Sequence, residues 1–399
     1  MDPVRNPYAP GAGQRPPELA GRDTELQTFD VVLERVARSR PERSIVLLGL
    51  RGVGKTVLLN AMRSAAVRRG WGTGKLEARP GQPLRRPLAA ALHLAVRELA
   101  HPRDHAVSQV LGVVKAFAQR EERTARPAAS KQRWQPGIDV PAAIGRADSG
   151  DTEIDLVELF TDVAGLAADT GHGIAIFIDE MQDLDPDDVS ALCAACHELS
   201  QQGLPLVVVG AGLPHVPAVL SAAKSYSERL FRYARIDRLE RAAADIALQV
   251  PARDEGAAFD GDALTAMYDA TGGYPYFVQA YGKVAWDVAP RSPISAADVA
   301  MAAPVAESEL AVGFFGSRYE RATPAEREYL RAMADVALVE QPDEPVLTAA
   351  VADALQRSAQ SVSPARDALL KKGLIYSGQR GRIAFTVPHF GRYLRQIEA

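Results

Sequence analysis

SIVLLGLRGVGKT, residues 44–56, joins a short apolar run to a glycine-rich loop. The run Ser44 to Leu48 is too short for a helix and suits a buried strand. The eight residues that follow hold glycines at 49, 52 and 54, which can take backbone angles closed to other residues. Successive N–H groups can then turn inward toward phosphate oxygens. Val57 to Arg69 continues with helical spacing, so the loop ends at a helix N-terminus, where the peptide dipoles favour an anion. A strand, such a loop and a helix in that order make a cradle for a nucleotide triphosphate. Gly49, Arg51, Gly52, Val53, Gly54, Lys55, Thr56 and Val57 are its candidate residues. Lys55 is placed to reach the β- and γ-phosphates, and Thr56 to put its hydroxyl on Mg²⁺.

A second stretch, IFIDEMQDL at 176–184, fits the first. IAIFID (174–179) reads as a central parallel strand. Asp179 ends it, where a carboxylate is costly unless paired or metal-bound. Asp179 is therefore the second candidate Mg²⁺ ligand beside Thr56, and Glu180 stands where a residue could orient and polarise an attacking water. By itself this would be an acidic loop after a strand; behind the glycine loop it reads as a hydrolytic site.

The rest of the chain arranges itself around these two stretches. Residues 1–20 are rich in Pro and Gly and read as an extended segment. A helix is expected over 23–38 and a second strand over 71–78. Helices follow near 86–100 and 104–122, and residues 123–152 read as a polar, turn-rich insertion. Further helices are expected over 153–168, 186–202 and 216–231, with strands over 204–212 and 233–238. Strands alternating with helices predict a parallel α/β sheet covered on both faces over residues 21–239. Residues 240–309 hold helical segments alone and suit a lid. Residues 310–399 change again, to helices followed by a strand–turn–strand.

These residues resemble the additional-strand P-loop ATPases, in which a catalytic Glu follows the metal-binding Asp. More narrowly, the chain is similar to proteins at the border of the STAND and AAA+ classes, the archaeal-type ATPases and origin-recognition ATPases. AGRDTEL (20–26) resembles the motif that borders the nucleotide base in that group, which implies a binding role for Arg22. TGGYPYFVQ (271–279) resembles the Gly-x-Pro motif of the STAND lid and implies that Pro275 packs by the nucleotide. AKSYSERLF (223–231) lies where relatives place an arginine finger, with Arg229 the first candidate and Arg232 the second; a surface arginine near a helix end reads the same way. Two features depart from the group. The strand ending VVVGAG has Gly210 and Ala211 where AAA+ relatives usually carry a polar sensor, and GGYPYF offers no lid arginine. Both departures favour slow hydrolysis over a fast ring motor.

In the carboxy-terminal part, TPAEREYL (323–330) is a strong helix start, with Thr323 as N-cap, Pro324 at the first position and Glu326 closing a capping box. Helices near 346–357 and 363–373 follow, then LIYS, the turn GQRG and RIAFT. Three helices and a hairpin predict a winged helix, the module that binds duplex DNA in the origin-recognition group. From 357 to 395 eight basic residues stand against the single acid Asp367, a local charge of +7 in a chain whose total is −4. A basic patch on an acidic protein is an electrostatic footprint for phosphate. Arg366, Lys371, Lys372, Arg380 and Arg382 are the DNA candidates. A protein-docking role for the module, with the charges a solvated face, stays open beside it.

Composition sets the outer limits. At 399 residues, 47% hydrophobic and 24% charged, the chain suits several globular domains. Two cysteines are too few for a disulfide framework and suit a reducing compartment. The N-terminus lacks an apolar signal core, and no run approaches the ~18 apolar residues that span a bilayer; the expectation is a cytoplasmic protein without a membrane partner. CAACH (193–197) matches a haem-attachment pattern, but it falls on a helix and lacks the further ligands of a zinc site, so it reads as core packing. Trp134 in the polar insertion is a weak candidate for a partner contact. The resulting expectation is an ATP- and Mg²⁺-dependent switch. Its output would be DNA binding through the winged helix, or assembly through Arg229. A scaffold holding ATP or ADP as a structural ligand, and a DNA-loading ATPase, are the alternatives.

Overall fold

The computed structural model describes residues 1–11, 13–99, 104–124, 140–340 and 344–397. Five parallel strands form the central sheet: β1 (Ser44–Leu48), β2 (Gly72–Glu77), β3 (Ile174–Asp179), β4 (Leu206–Gly212) and β5 (Phe231–Arg235), in the order β2-β3-β4-β1-β5. β4 pairs with β1 on one side and β3 on the other. It is the additional strand expected from the sequence, inserted between the glycine-loop strand and the strand that ends at Asp179.

Alternation along the strands explains why both faces need cover. Ile45, Leu47, Phe177, Val207 and Val209 pack into one core with the Asp23–Ala37 and Lys55–Arg68 helices. Val46, Ile174, Ile176, Ile178 and Val208 pack into the other. There the cover is the helices Arg85–Leu99, His105–Thr124, Thr152–Asp169 and Pro186–Gln202. Successive side chains of a strand point to opposite faces, so near-continuous apolar runs are what a doubly covered sheet requires. The fold class read from the sequence is the one observed, an α/β P-loop sheet.

Local differences have local causes. The expected single helix over 216–231 is two, Val216–Ala223 and Ser227–Leu230. Lys224 between them takes an extended backbone (φ −143°, ψ 119°), which ends the first. β5 consequently begins two residues earlier than expected. Most of the 123–152 insertion, including Trp134, lies outside the described residues. Cys193 and Cys196 are buried in the core, and burial pushes both thiols up to about 12.

After β5 come the helices Arg241–Asp254, Gly261–Thr271, Pro275–Val288 and Ala296–Leu310. The last continues through a wide π-helical turn, Ala311–Gly316, into Ser317–Tyr319. By length and composition the run Ala296–Tyr319 would suffice to cross a membrane, although Glu307 and Glu309 interrupt its apolar residues. It buries Val299, Ala302, Ala306 and Leu310 in the core it shares with the three helices before it.

The carboxy-terminal unit holds helices Pro324–Glu340, Thr348–Ala354 and Ala359–Lys371 and a three-stranded antiparallel sheet. Its strands are β6 (Val346–Leu347), β7 (Ile375–Gln379) and β8 (Arg382–Phe385), ordered β6-β8-β7. The capping box at Thr323 and Glu326 forms as expected, each side chain serving the other's backbone N–H. The third helix starts earlier than expected: Ser358, not Ser363, is its N-cap, and Pro364 lies inside it. The two-residue strand β6, too short for a periodicity signal, was not expected at all.

Candidate functional site: a phosphate loop between sheet, lid and carboxy-terminal unit

The loop after β1 takes the shape its glycines permit. Gly52 and Gly54 sit at φ 88° and 92°, left-handed angles that favour glycine. Gly54 caps the Lys55–Arg68 helix, so backbone N–H groups at that helix start face the cleft. Lys55 is buried, and its ammonium donates to the carbonyls of Gly49 and Leu50, both at 2.9 Å. Burial pushes it down to about 8, against the pull of Glu180 and Asp179. Gly49 supplies an acceptor for Lys55 rather than a wall of the cleft.

Thr56 and Asp179 meet across the sheet. The Thr56 hydroxyl donates to Asp179 Oδ2 at 2.8 Å, and Asp179 is only 6% exposed. A buried carboxylate beside a hydroxyl is a hard-oxygen donor pair that suits Mg²⁺. With the loop's inward N–H groups it makes a set that fits a metal-bound triphosphate.

Glu180 follows in a left-handed conformation, φ 53° and ψ 44°, unusual for a residue with a Cβ. That turn brings its N–H to Asp179 Oδ1 at 3.0 Å. Its carboxylate accepts from the amide of Gln182, whose Oε1 accepts the N–H of Leu213 just past β4. Gln182 thus ties Glu180 to the end of the strand that lacks a sensor side chain. Gly210 in that strand has its own reason: a Cβ there would stand 1.9 Å from Met181 Sδ. The Met181 thioether fills the space a polar side chain would need. Asp183, next along, is pushed up to about 6 by burial and by Glu180, with Arg51 opposing. Sequence reading missed Gln182 and Asp183, since no spacing rule marks a residue that acts through a strand distant in sequence.

The cleft around these groups measures about 780 Å³. One wall is the amino-terminal segment, including Pro10, Gly13 and Pro16. It is a strap rather than a loose leader. Tyr8 is buried in the lid, its hydroxyl donating to Leu248 O at 2.6 Å, and Asn6 donates to Lys283 O and Asp287. Arg22 lines the cleft and binds the carbonyls of Val53 (3.1 Å) and Asp237 (2.6 Å). Pro275 lines it too, at the first position of its helix. Arg51, Val53 and Val57 complete the predicted set on the wall. Two further residues, Arg318 and Arg321, enter from beyond the lid; the sequence carries no motif there.

Other candidates lie elsewhere. Arg229, in the short helix before β5, lines a small hollow with Ser44 and Leu206, at the starts of β1 and β4. The phosphate loop is at the far end of β1, about 16 Å away for five residues of strand. Arg232 lies exposed near the start of edge strand β5. Neither reaches its own chain's cleft. In the carboxy-terminal unit, Lys372 pairs with Glu326 at 2.6 Å and Arg366 with Asp367 at 2.8 Å. Arg382 donates to Pro345 O at 2.6 Å. Lys371 and Arg380 are exposed and make no ion pair or hydrogen bond among the described residues.

Comparison with known proteins places part of the chain beside ATPase domains. Residues 18–209 match the family model described as AAA ATPase domain, and residues 312–394 match one described as a domain of unknown function, DUF8462. No curated protein matches the chain. A Walker-type ATPase of Pyrococcus abyssi superposes with a TM-score of 0.59 at 15% identity, over 96% of this chain and 97% of its own. Cdc6p from Pyrobaculum aerophilum gives a TM-score of 0.44 at 15% identity, over 100% and 98% of the two chains. The Orc1 protein of Aeropyrum pernix, solved in complex with DNA, gives 0.44 at 15% identity, over 96% and 94%. Of the three, only the first is near enough in shape to speak for the fold. Over residues 18–209 the chain is thus similar to AAA ATPase domains, a likeness that agrees with its P-loop α/β sheet.

Proposed function

We propose that the protein is an ATP-dependent molecular switch that binds ATP with Mg²⁺ and hydrolyses it slowly. The observation that carries this reading is the meeting of Thr56 and Asp179 at 2.8 Å beside the buried Lys55, in a cleft walled by sheet, lid and carboxy-terminal unit. Thr56 and Asp179 would hold the metal, which supplies Lewis acidity toward phosphate oxygens when bound. Lys55 offers its charge to the same oxygens. Glu180, aimed by its left-handed backbone and held by Gln182, is the base that would orient a water. With Met181 packed over Gly210, no sensor side chain from β4 reaches the phosphate end, which favours a slow switch over a motor.

The carboxy-terminal unit reads as a winged helix, and it rests on the phosphate loop. The N–H of Arg51 donates to Thr386 O at 2.9 Å, and Tyr376 stacks on His215 with centroids 6.3 Å apart. A nucleotide that favours one arrangement of this contact over another would shift the unit. Its output is DNA binding through the hairpin tip, or assembly. Arg229, remote from its own cleft, would act only on a neighbour's. The second reading, a protein-docking unit on a nucleotide-held scaffold, is favoured by the internal pairing of Lys372 and Arg366.

Turnover of ATP with Mg²⁺, measured with and without duplex DNA over a salt series, separates these. We expect slow turnover, lost in Glu180→Gln with ATP still bound, and loss of nucleotide binding in Lys55→Ala. Oxyanion-type and water-orienting groups are commonly worth about 10²-fold or more in rate. Unchanged turnover in Glu180→Gln would leave the scaffold reading standing; unchanged affinity in Lys55→Ala would sink the site itself.

A further inference from the structure

The cleft has more positive charge than the phosphate loop provides. Arg51 comes from the loop, while Arg318 and Arg321 come from the segment that joins the lid to the carboxy-terminal unit; all three line the cleft. None of them makes an ion pair with a carboxylate among the described residues. The Nε atoms of Arg51 and Arg318 are buried without a hydrogen-bond partner. Arg318 lies over the Phe314 ring at 4.2 Å and donates to Phe314 O through one terminal nitrogen, which fixes it on the cleft wall. Phe314 in turn stacks on Tyr276 at 4.7 Å, and the Tyr276 N–H donates to Gly52 O at 3.3 Å. The guanidinium is thereby braced against the phosphate loop through two rings.

The half-buried Arg51 and Arg318 and the exposed Arg321 beside them repel one another, and burial with Arg51 and Arg321 pushes Arg318 down to about 10. Proteins bury a charge at this cost where it is paired. The complement of a guanidinium fork is a phosphate or carboxylate, bound by two parallel N–H donors. Inside a cleft already built around a triphosphate, the phosphate farthest from the base is the group that arrives beside Lys55.

We infer that Arg318, with Arg51 and Arg321, forms a subsite for the terminal phosphate of the bound nucleotide, so that the carboxy-terminal unit itself distinguishes a triphosphate from a diphosphate. The inference rests on the nucleotide reading of the cleft. Arg318 and Arg321 lie within residues 312–394, the stretch of the second family match, and outside the stretch matching the ATPase domain. The π-helical turn Ala311–Gly316 places Arg318 after a widened helix, a feature frequent at functional sites. The same segment is tied to the far side of the unit, where Lys372 donates to Arg321 O and Arg321 to Lys372 O. A lid arginine is absent from GGYPYF, and this segment supplies one from farther along the chain. Because the subsite includes residues of both core and unit, a terminal phosphate favours their docked arrangement, and its loss removes that preference.

The test is the affinity of a non-hydrolysable ATP analogue and of ADP, by calorimetry, for the full chain and for Arg318→Ala, Arg318→Lys and Arg321→Ala. We expect Arg318→Ala to weaken the ATP analogue by about tenfold or more, the worth of one charge-assisted hydrogen bond, with ADP changed less than about twofold. Arg318→Lys keeps the charge but loses the fork, and falls between. If Arg318→Ala does not fold, the same comparison is read from the other two variants. Equal loss for both nucleotides, or none for either, overturns the subsite. A native chain that binds neither nucleotide overturns the reading beneath it.

Discussion

Lys55 is held under two opposed demands, and their balance is measurable. Its ammonium is buried, which favours the neutral form, and it faces Asp179 and Glu180, which favour the charged one; the result is a value near 8 in place of 10.5. A phosphate ligand prefers the charged lysine. Nucleotide affinity should therefore be full below about pH 8 and weaken as pH rises through it, by up to about tenfold per pH unit until the bound form titrates. Affinity of an ATP analogue between about pH 7 and about pH 9.5 checks this, with Lys55→Arg, which stays charged over that range, giving a flatter profile; parallel profiles would assign the titration to another group. The residues of this balance were legible because the chemistry fixes their spacing. A phosphate loop needs Lys55 and Thr56 just after Gly54, and a metal-binding carboxylate needs the end of a buried strand. Gln182 was not legible, since what matters is its bond to Leu213, 31 residues away. Arg318 was not legible for the same reason on a longer scale: only the folded chain brings it to Gly52.

Elements whose burial is two-sided were the ones that sequence reading placed best. The expected span of β3 is the observed one, because an apolar run of six residues cut off by Asp179 has few alternatives. Elements defined by a contact were missed or blurred. The amino-terminal segment reads as extended, yet it is anchored to the lid and forms a wall of the cleft. Its anchor is Tyr8, 3% exposed, with its ring edge toward Phe259 and Trp286 at 6.3 and 6.5 Å. A Cβ at Gly282 would come within 3.0 Å of that ring, so the lid helix is shaped to receive it. Truncating a buried ring of this kind costs about 3–5 kcal/mol. The affected bonds are those between strap and lid, so Tyr8→Ala should release the strap before it unfolds the sheet. We expect faster dissociation of bound nucleotide with the α/β core intact. Stopped-flow release of a fluorescent ATP analogue, with the far-ultraviolet spectrum as control, reads both. An unchanged release rate would make the strap a structural brace only.

For the whole molecule, what matters is where the positive charge goes. Summed along the chain, residues 357–395 look like a phosphate-binding surface. Folded, they meet acids from elsewhere: Arg357 pairs with Glu328, Lys372 with Glu326 and Arg392 with Glu307, at 2.6–2.9 Å. A window of sequence cannot see those partners. The two exposed pairs, Arg357–Glu328 and Arg392–Glu307, stabilise little, whereas Glu326 is buried; each pair competes with a phosphate for its cation. Lys371 and Arg380 remain exposed and uncommitted among the described residues, one at the end of the third helix and one at the hairpin tip. If the unit binds duplex DNA in this arrangement, these two make the strongest phosphate contacts. Each contact adds about 0.9 to the slope of log affinity against log salt. Lys371→Ala with Arg380→Ala should then lower that slope by about 2, while Arg366→Ala with Arg382→Ala lowers it by less than about 1. Equal effects from the two pairs would mean that the internal pairs open on binding and that the unit leaves the phosphate loop to reach DNA. No salt-dependent binding at all would turn the unit into a protein-docking surface, with Lys371 and Arg380 an exposed, solvated pair.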